Sequence, residues 1–317
     1  MNAATVQAYR CPYTKEFLHL EVQERDGAEI LSGSLVSPSG RRYPIQSGIP
    51  HLIRTDDESM DERERRELAY YESSSDSYDA AIDWLFESFH EDEDAVREEI
   101  LSPLDLQPAF RVLEVGCGTC RDSVRIAQRL GGDGELFLQD LSPNMLSVGR
   151  ERIRRSGSLA RIEYFVGNAA HLPFPDGFFH AAFHFGGLNL FSDKRQALGE
   201  MTRVVRIGGR IVVGDESLAP WLRETTYGRI LLNSNALYAH QVPLECLPEN
   251  AMNVHVRWFL GNAFYLIGYT VGEGYPRVNL DLPILGGRGG THRTRCGYPV
   301  AGERPQERGG LLGVGQS

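Results

Sequence analysis

Two glycines, Gly116 and Gly118, stand at the end of an apolar run from Val112 to Val115, and the segment beyond them has helical spacing (Val124, Ile126, Ala127, Leu130). A strand, a glycine turn and a helix in succession let the backbone bend sharply and let a ligand approach closer than any Cβ would permit. At the mouth of a parallel sheet such a turn is a cradle for a nucleotide or nucleoside. Glu114 and Cys117 lie in the same stretch, Arg111-Val-Leu-Glu-Val-Gly-Cys-Gly-Thr-Cys-Arg-Asp122. Further groups able to bind or move protons follow: Asp140, about twenty residues beyond the glycines, then Asn168, His184, the pair Asp215 and Glu216, and His240 and His255.

These residues need a frame, and the chain supplies an alternating one. From Leu106 onward, strands are predicted at 111–115, 135–139, 161–166, 180–185 and 210–214, with helices at about 120–131, 143–155 and 193–206. Strand and helix in alternation predict a parallel sheet with crossover helices. The segment 217–262 is predicted mostly helical, and Phe264–Val271 with Val278–Leu285 is predicted as a closing hairpin. Upstream, Ala81–Phe89 and Val96–Leu104 have amphipathic helical spacing.

Of the 317 residues, 41% are hydrophobic and 24% charged, an ordinary balance for a globular protein. The net charge of -10 argues against nucleic acid, whose phosphates are gripped by clustered Lys and Arg. Five scattered cysteines suit reduced thiols better than a disulfide framework, which predicts a cytoplasmic location. No run approaches the length of a membrane span, and no signal peptide is recognisable. A homodimer is compatible with this composition.

Which ligand the cradle takes is narrowed by the residue after the turn. A dinucleotide turn prefers a third glycine where this chain has Arg121, and no Gly-Lys-Ser/Thr triplet marks a phosphate loop. The segment instead resembles motif I of class I S-adenosylmethionine-dependent methyltransferases, usually close to Leu-Glu-Val-Gly-Cys-Gly-Thr-Gly. Cys120 stands at the last glycine, a substitution that suits a negative φ. Leu136-Phe-Leu-Gln-Asp-Leu-Ser-Pro-Asn-Met-Leu146 and Val166-Gly-Asn-Ala-Ala-His-Leu-Pro-Phe-Pro-Asp176 match the family in order and spacing. So do Phe183-His-Phe-Gly-Gly-Leu-Asn189 and Arg203-Val-Val-Arg-Ile-Gly-Gly-Arg210, which are similar to quinone-pathway C-methyltransferases of the UbiE type. The resemblance covers roughly residues 105–215.

It implies a Rossmann-like sheet, mostly parallel and seven-stranded with an antiparallel last strand, preceded by a small β-rich module. It implies S-adenosylmethionine as cofactor, S-adenosylhomocysteine as product, and no metal. Glu114, Gly116, Cys117 and Gly118 would form the loop, and Asp140 would accept from the ribose hydroxyls. Leu141 and Met145 would flank the adenosine, while Asn168 and the Ala169 amide would meet the adenine edge. Tyr78 and Tyr71 are candidates on an N-terminal helix that closes over the cofactor. His184 is the first candidate for a general base and also a cofactor contact; Glu216 would meet the substrate, and His240 and His255 would line its chamber.

Residues 1–55 form short alternating segments that resemble Trm112-like zinc ribbons through Cys11-Pro12 and Tyr43-Pro-Ile-Gln-Ser-Gly-Ile-Pro50. Cys11 is alone, and Ser37 and Gly40 stand where a second cysteine pair would fall, so the module is degenerate and no zinc is expected. The predicted organisation is this module, a charged linker with lid helices over 56–104, a methyltransferase domain over 105–285 whose region 216–262 faces the substrate, and a Gly/Arg-rich tail over 286–317. The expected activity is C- or O-methylation of a small molecule. The alternatives are a protein of the same fold that binds the cofactor without transferring methyl, or a methyltransferase acting on protein or RNA.

Overall fold

The computed structural model describes residues 1–53 and 62–275. Tyr71, the far end of the linker, the strand expected at 278–285 and the Gly/Arg-rich tail lie outside the residues or side chains described. In chain order the elements are β1 (His19–Asp26), β2 (Glu29–Val36), β3 (Arg42–Gln46), β4 (Ile49–Leu52), α1 (Glu62–Phe89), α2 (Glu93–Leu101), β5 (Arg111–Val115), α3 (Arg121–Leu130) and β6 (Glu135–Asp140). They continue with α4 (Pro143–Ser156), β7 (Arg161–Gly167), β8 (Phe179–Phe185), α5 (Lys194–Val204), β9 (Val205–Glu216), α6 (Thr226–Ser234), β10 (Ala251–Phe259) and β11 (Phe264–Val271).

All the strands join one sheet in the order β1-β2-β3-β4-β7-β6-β5-β8-β9-β11-β10. Strands β5 to β9 run parallel, and β11 is antiparallel to both β9 and β10. From β5 the chain builds outward through β6 and β7, then returns to the other side of β5 to lay down β8 and β9. That reversal leaves a crevice beyond the carboxyl ends of β5 and β8, where ligands bind in open α/β sheets.

Two features differ from the sequence expectation. The N-terminal strands extend the sheet past β7, making it eleven-stranded among the described residues: β4 pairs parallel with β7 through His51 with Val166 and Leu52 with Gly167. Residues Met1–Gly272 form one compact unit. Within it Tyr9 is fully buried, its ring 5.5 Å from Phe174 and 6.0 Å from Phe165. Truncating a buried aromatic of this kind to Ala costs about 3–5 kcal/mol. The second difference is β10, which lies in the segment expected to be mostly helical and is the hairpin partner that β11 takes. Val254, Val256 and Trp258 alternate there, and β-branched and aromatic residues at period two favour a strand.

The helices that carry the site are locally specified. Ser142 caps α4, its hydroxyl accepting from Met145 N at 3.1 Å, with Pro143 at the first helical position and Gly157 closing the far end at φ 67°. Asp193 caps α5 through Gln196 N at 2.8 Å. Strand alternation sorts the core: Val112 and Leu136 face the side covered by α3 and α4, and Leu113 and Phe137 face the side covered by α5.

Candidate active site

The loop between β5 and α3 is held open by backbone conformations that only certain residues adopt without strain. Gly116 has φ 62° and Gly118 φ 51°. A Cβ at 116 would also lie 3.2 Å from the His184 ring, so glycine is required there twice over. Cys120 has φ 63° and ψ 34°, in the left-handed region. The loop does not take the negative φ that would suit a cysteine: the turn into α3 keeps the glycine-like conformation although the residue has changed.

The carboxyl end of β6 grips this loop. Asp140 accepts from Gly118 N at 2.8 Å with one carboxylate oxygen and from Ser142 N at 2.9 Å with the other. Each oxygen keeps a second lone pair. Burial pushes the Asp140 carboxyl up, and the backbone amides of Ser142, Gly118 and Leu141 pull against it. Gln139, which sequence reasoning passed over, accepts from Gly116 N at 3.1 Å, donates to Gly167 O, and its own carbonyl accepts from Cys117 N at 2.9 Å. Its position beside Asp140 on a strand end was the available signal.

Behind the loop lies a charged cluster. Arg97 from α2 is 5% exposed and pairs with Asp122 at 2.7 Å and Glu93 at 2.6 Å. Glu114 is buried beside them, and its Oε2 has no hydrogen-bond partner among the described residues. Burial first, then Asp122 and Cys120, push the Glu114 carboxyl well above its ordinary value, against the Ser123 hydroxyl and Arg97. Neither Arg97 nor Asp122 carried a sequence signal, because an ion pair between α2 and α3 is a product of packing.

His184, on β8, faces the loop from the other side of the crevice. Its Nδ1 lies 2.7 Å from Val115 O. A carbonyl only accepts, so Nδ1 carries the proton and Nε2 presents a lone pair. That Nε2 has no hydrogen-bond partner among the described residues. Burial lowers the ring below its ordinary value, so it stays neutral. At the end of β9, Asp215 is fully buried and accepts from Asn189 N and, at 2.8 Å, from Glu216 N. Burial and then the neighbouring Asp215 push Glu216 well above its ordinary value.

One cavity of about 270 Å³ joins these groups. Tyr78, Glu114, Gly116, Cys117, Gly118, Asp140, Leu141, Met145, Asn168, Ala169, His184 and Glu216 all line it, together with apolar Ile82, Phe86, Phe185, Leu237, Leu260 and Phe264. Asn168 also caps a short turn, its side chain accepting from Ala170 N at 2.8 Å. His240 does not line the cavity. It ends a turn after α6, where its carbonyl accepts from Ser217 Oγ at 2.8 Å and Arg223 Nη2 at 2.7 Å. His255 is exposed on β10 against Gly268, equally far from a role in the chamber. Among the described residues no group of three or more His, Cys, Asp or Glu could hold a metal, and no helix is long and apolar enough to cross a membrane. Around Cys11, the Sγ meets the Tyr43 hydroxyl at 3.2 Å, and Thr14 and Ser39 both donate to Glu16.

The helix α1 covers the loop. Asp79 accepts from Thr119 Oγ1 at 2.8 Å and pairs with Arg152, while Arg121, in the place of the third glycine, pairs with Asp79 at 3.4 Å, with Glu93 at 3.3 Å and with Asp83.

Strand order, glycine loop and the carboxylate on the neighbouring strand define a class I methyltransferase fold. The sequence matches the ubiE/COQ5 methyltransferase family over residues 60–223. It is 35% identical over 150 residues to a demethylmenaquinone methyltransferase of Bacillus cytotoxicus, covering 47% of this chain and 62% of that protein. It is 32% identical over 182 residues to a ubiquinone/menaquinone biosynthesis C-methyltransferase UbiE of Xanthomonas campestris, covering 57% of this chain and 70% of that one. A solved phosphoethanolamine N-methyltransferase 2 of Haemonchus contortus in complex with S-adenosyl-L-methionine superposes at a TM-score of 0.49 with 13% identity, covering 64% of this chain and 60% of that chain. The chain belongs to the ubiE/COQ5 methyltransferase family, whose enzymes depend on S-adenosylmethionine. It spans 62% of the length of the first of these relatives, and the match begins at residue 60, beyond β1 to β4.

Proposed function

We propose that the protein transfers the sulfonium methyl group of S-adenosylmethionine to a small aromatic acceptor of the hydroquinone type, at carbon or oxygen. The observation that carries this reading is a pair of orphaned polar atoms, Glu114 Oε2 and His184 Nε2, belonging to residues that line the same largely apolar cavity. Buried polar atoms without partners are rare and call for a ligand. The cradle also fits the cofactor chemically. Asp140 has lone pairs left for ribose hydroxyls, Leu141 and Met145 offer apolar contact to a base, and Asn168 has amide groups for its edge. The Arg97–Asp122 pair offers opposite charges to the zwitterionic methionine end, and the Glu114 carboxyl offers it a hydrogen-bonding group.

When bound, S-adenosylmethionine supplies an electrophilic methyl that carries its own leaving group. What the protein must add is alignment, exclusion of water and control of one proton. Phe185, Leu260 and Phe264 keep the acceptor side dry. His184 Nε2, neutral and with its ring fixed by Val115, accepts a phenolic proton, which makes the ring carbons beside that oxygen nucleophilic. Glu216, kept protonated by burial and Asp215, donates to an acceptor oxygen. The relatives named for demethylmenaquinone and for ubiquinone/menaquinone biosynthesis support the acceptor class.

Calorimetric titration with S-adenosylhomocysteine, followed by mass spectrometry of reactions containing S-adenosylmethionine and demethylated naphthoquinols or benzoquinols, tests this. A gain of one methyl group on the acceptor is expected. Cofactor binding with no mass gain on any acceptor would favour a non-transferring protein of the same fold, and no binding at all would overturn the reading.

A further inference from the structure

Cys117-Gly118-Thr119-Cys120 is a dithiol turn set inside the cofactor loop. Cys120 N donates to Cys117 O at 2.8 Å. A turn closed by that bond holds its first and last Cα within about 7 Å. A disulfide spans about 4.4–6.8 Å between Cα atoms, so the backbone already has the reach. The side chains converge as well. Each Sγ lies 4.0 Å from the same Gly118 carbonyl oxygen. Cys117 lines the cavity and Cys120 sits behind it, fully buried. The left-handed conformation of Cys120 adds a further point: glycine would adopt φ 63° without cost, so the backbone of the loop does not call for a side chain there.

We propose that Cys117 and Cys120 form a redox switch on the cofactor site, in which a disulfide between them closes the loop to S-adenosylmethionine. The proposal rests on the reading of the cavity given above. The oxidant is a peroxide, small enough to enter from the cavity. Cys117, as thiolate, attacks one peroxide oxygen, the O–O bond breaks, and Cys117 sulfenic acid and hydroxide result. Cys120 then attacks the Cys117 sulfur, and the sulfenic oxygen leaves as water. Two thiols and one hydrogen peroxide become one disulfide and two waters, and an external dithiol reverses the change by exchange. Burial, Cys120, Asp140 and Glu114 favour the neutral thiol at Cys117, so its attack on peroxide is slow and quickens as pH rises. A bridge would act on the two residues between the sulfurs. One is Gly118, whose N–H Asp140 holds at 2.8 Å; the other is Thr119, whose hydroxyl Asp79 of α1 holds at 2.8 Å.

The test uses the full chain, reduced, then treated with hydrogen peroxide, alkylated and mapped by mass spectrometry, with S-adenosylhomocysteine affinity measured by calorimetry before treatment, after it, and after dithiothreitol. The expected result is a Cys117–Cys120 peptide lighter by the two thiol hydrogens. Affinity should weaken at least about tenfold and recover with dithiothreitol. In Cys120→Gly and Cys120→Ser, treated and untreated protein should bind equally. A mapped disulfide with unchanged affinity, oxygen added to Cys117 without a crosslink, or variants as peroxide-sensitive as the parent would each overturn the switch. Failure of the reduced chain to bind S-adenosylhomocysteine would instead overturn the cavity reading, while the peptide map still reports whether the disulfide forms.

Discussion

Cys120, at the head of α3, and Gly149, in the middle of α4, face each other with no room for another carbon. A Cβ built at 149 would lie 3.1 Å from Cys120 Cβ and would overlap its sulfur. The side chain that replaced a glycine in the loop is thus accommodated by a glycine on the facing helix, where glycine itself lowers helix stability by about 1 kcal/mol relative to alanine.

Gly149→Ala should therefore destabilise the chain by about 1–3 kcal/mol, the usual cost of overpacking, in spite of alanine's better helix propensity. In the double variant Cys120→Gly with Gly149→Ala most of that loss should return. Urea unfolding of the four proteins of this cycle measures the coupling, and strictly additive effects would show that the two positions do not share their space.

Asp140→Ala should weaken S-adenosylhomocysteine binding by about 1.5–3 kcal/mol, the range for hydrogen bonds to a charged group. Because Asp140 also holds Gly118 N and Ser142 N, the thermal midpoint of the ligand-free variant should fall as well. An unchanged affinity by calorimetry would remove Asp140 from the ribose role.

The pH profile of turnover should have its acid limb below the ordinary histidine value near 6.5, since burial lowers His184. His184→Asn should reduce kcat by about 10²–10⁴-fold, the usual contribution of a positioned base. Glu216 acts protonated, so activity should fall on the alkaline side as it ionises. Glu216→Gln should flatten that alkaline limb and leave the acid limb in place. A profile of Glu216→Gln identical to the parent's would show that Glu216 does not titrate in turnover.

Glu114 sets a stability term of definite sign. Its folded value is raised above 4.5, so between those two values the folded chain holds a proton that the unfolded chain has released. The contribution is fully present below 4.5 and is lost as pH rises through the folded value, at up to about 1.4 kcal/mol per pH unit inside that window. Glu114→Gln should remove this downward slope, so thermal midpoints of parent and variant should diverge as pH climbs from 5, with the variant higher. Parallel curves would mean that Glu114 is not raised.

The residues from Arg111 to Asp140 determined much of the fold and half of the site by themselves. Apolar runs of strand length, two glycines and a carboxylate at the next strand end are local features, and local features survive in sequence order. Asn168 and Ala169 were reached through the resemblance of Val166-Gly-Asn-Ala-Ala170 to a family segment, and both line the cavity. What only the tertiary structure decided are the groups that meet across elements. Gln139 reaches two loops at once, Arg97 finds Asp122 from another helix, and Glu114 is left without a partner because of what packs around it. His184 became a candidate from its strand position, yet the proton on Nδ1 follows from Val115 O, a contact between adjacent strands. His240 shows the converse: in a segment without clear periodicity, a histidine's type says nothing of the direction it faces. Strand β10 was misread although Val254, Val256 and Trp258 alternate in it, because its pairing with β11 depends on the return of the chain rather than on either segment alone. Nothing in the order of residues forecast that β4 would pair with β7, since a parallel pair across more than a hundred residues is decided by which sheet edge is left open.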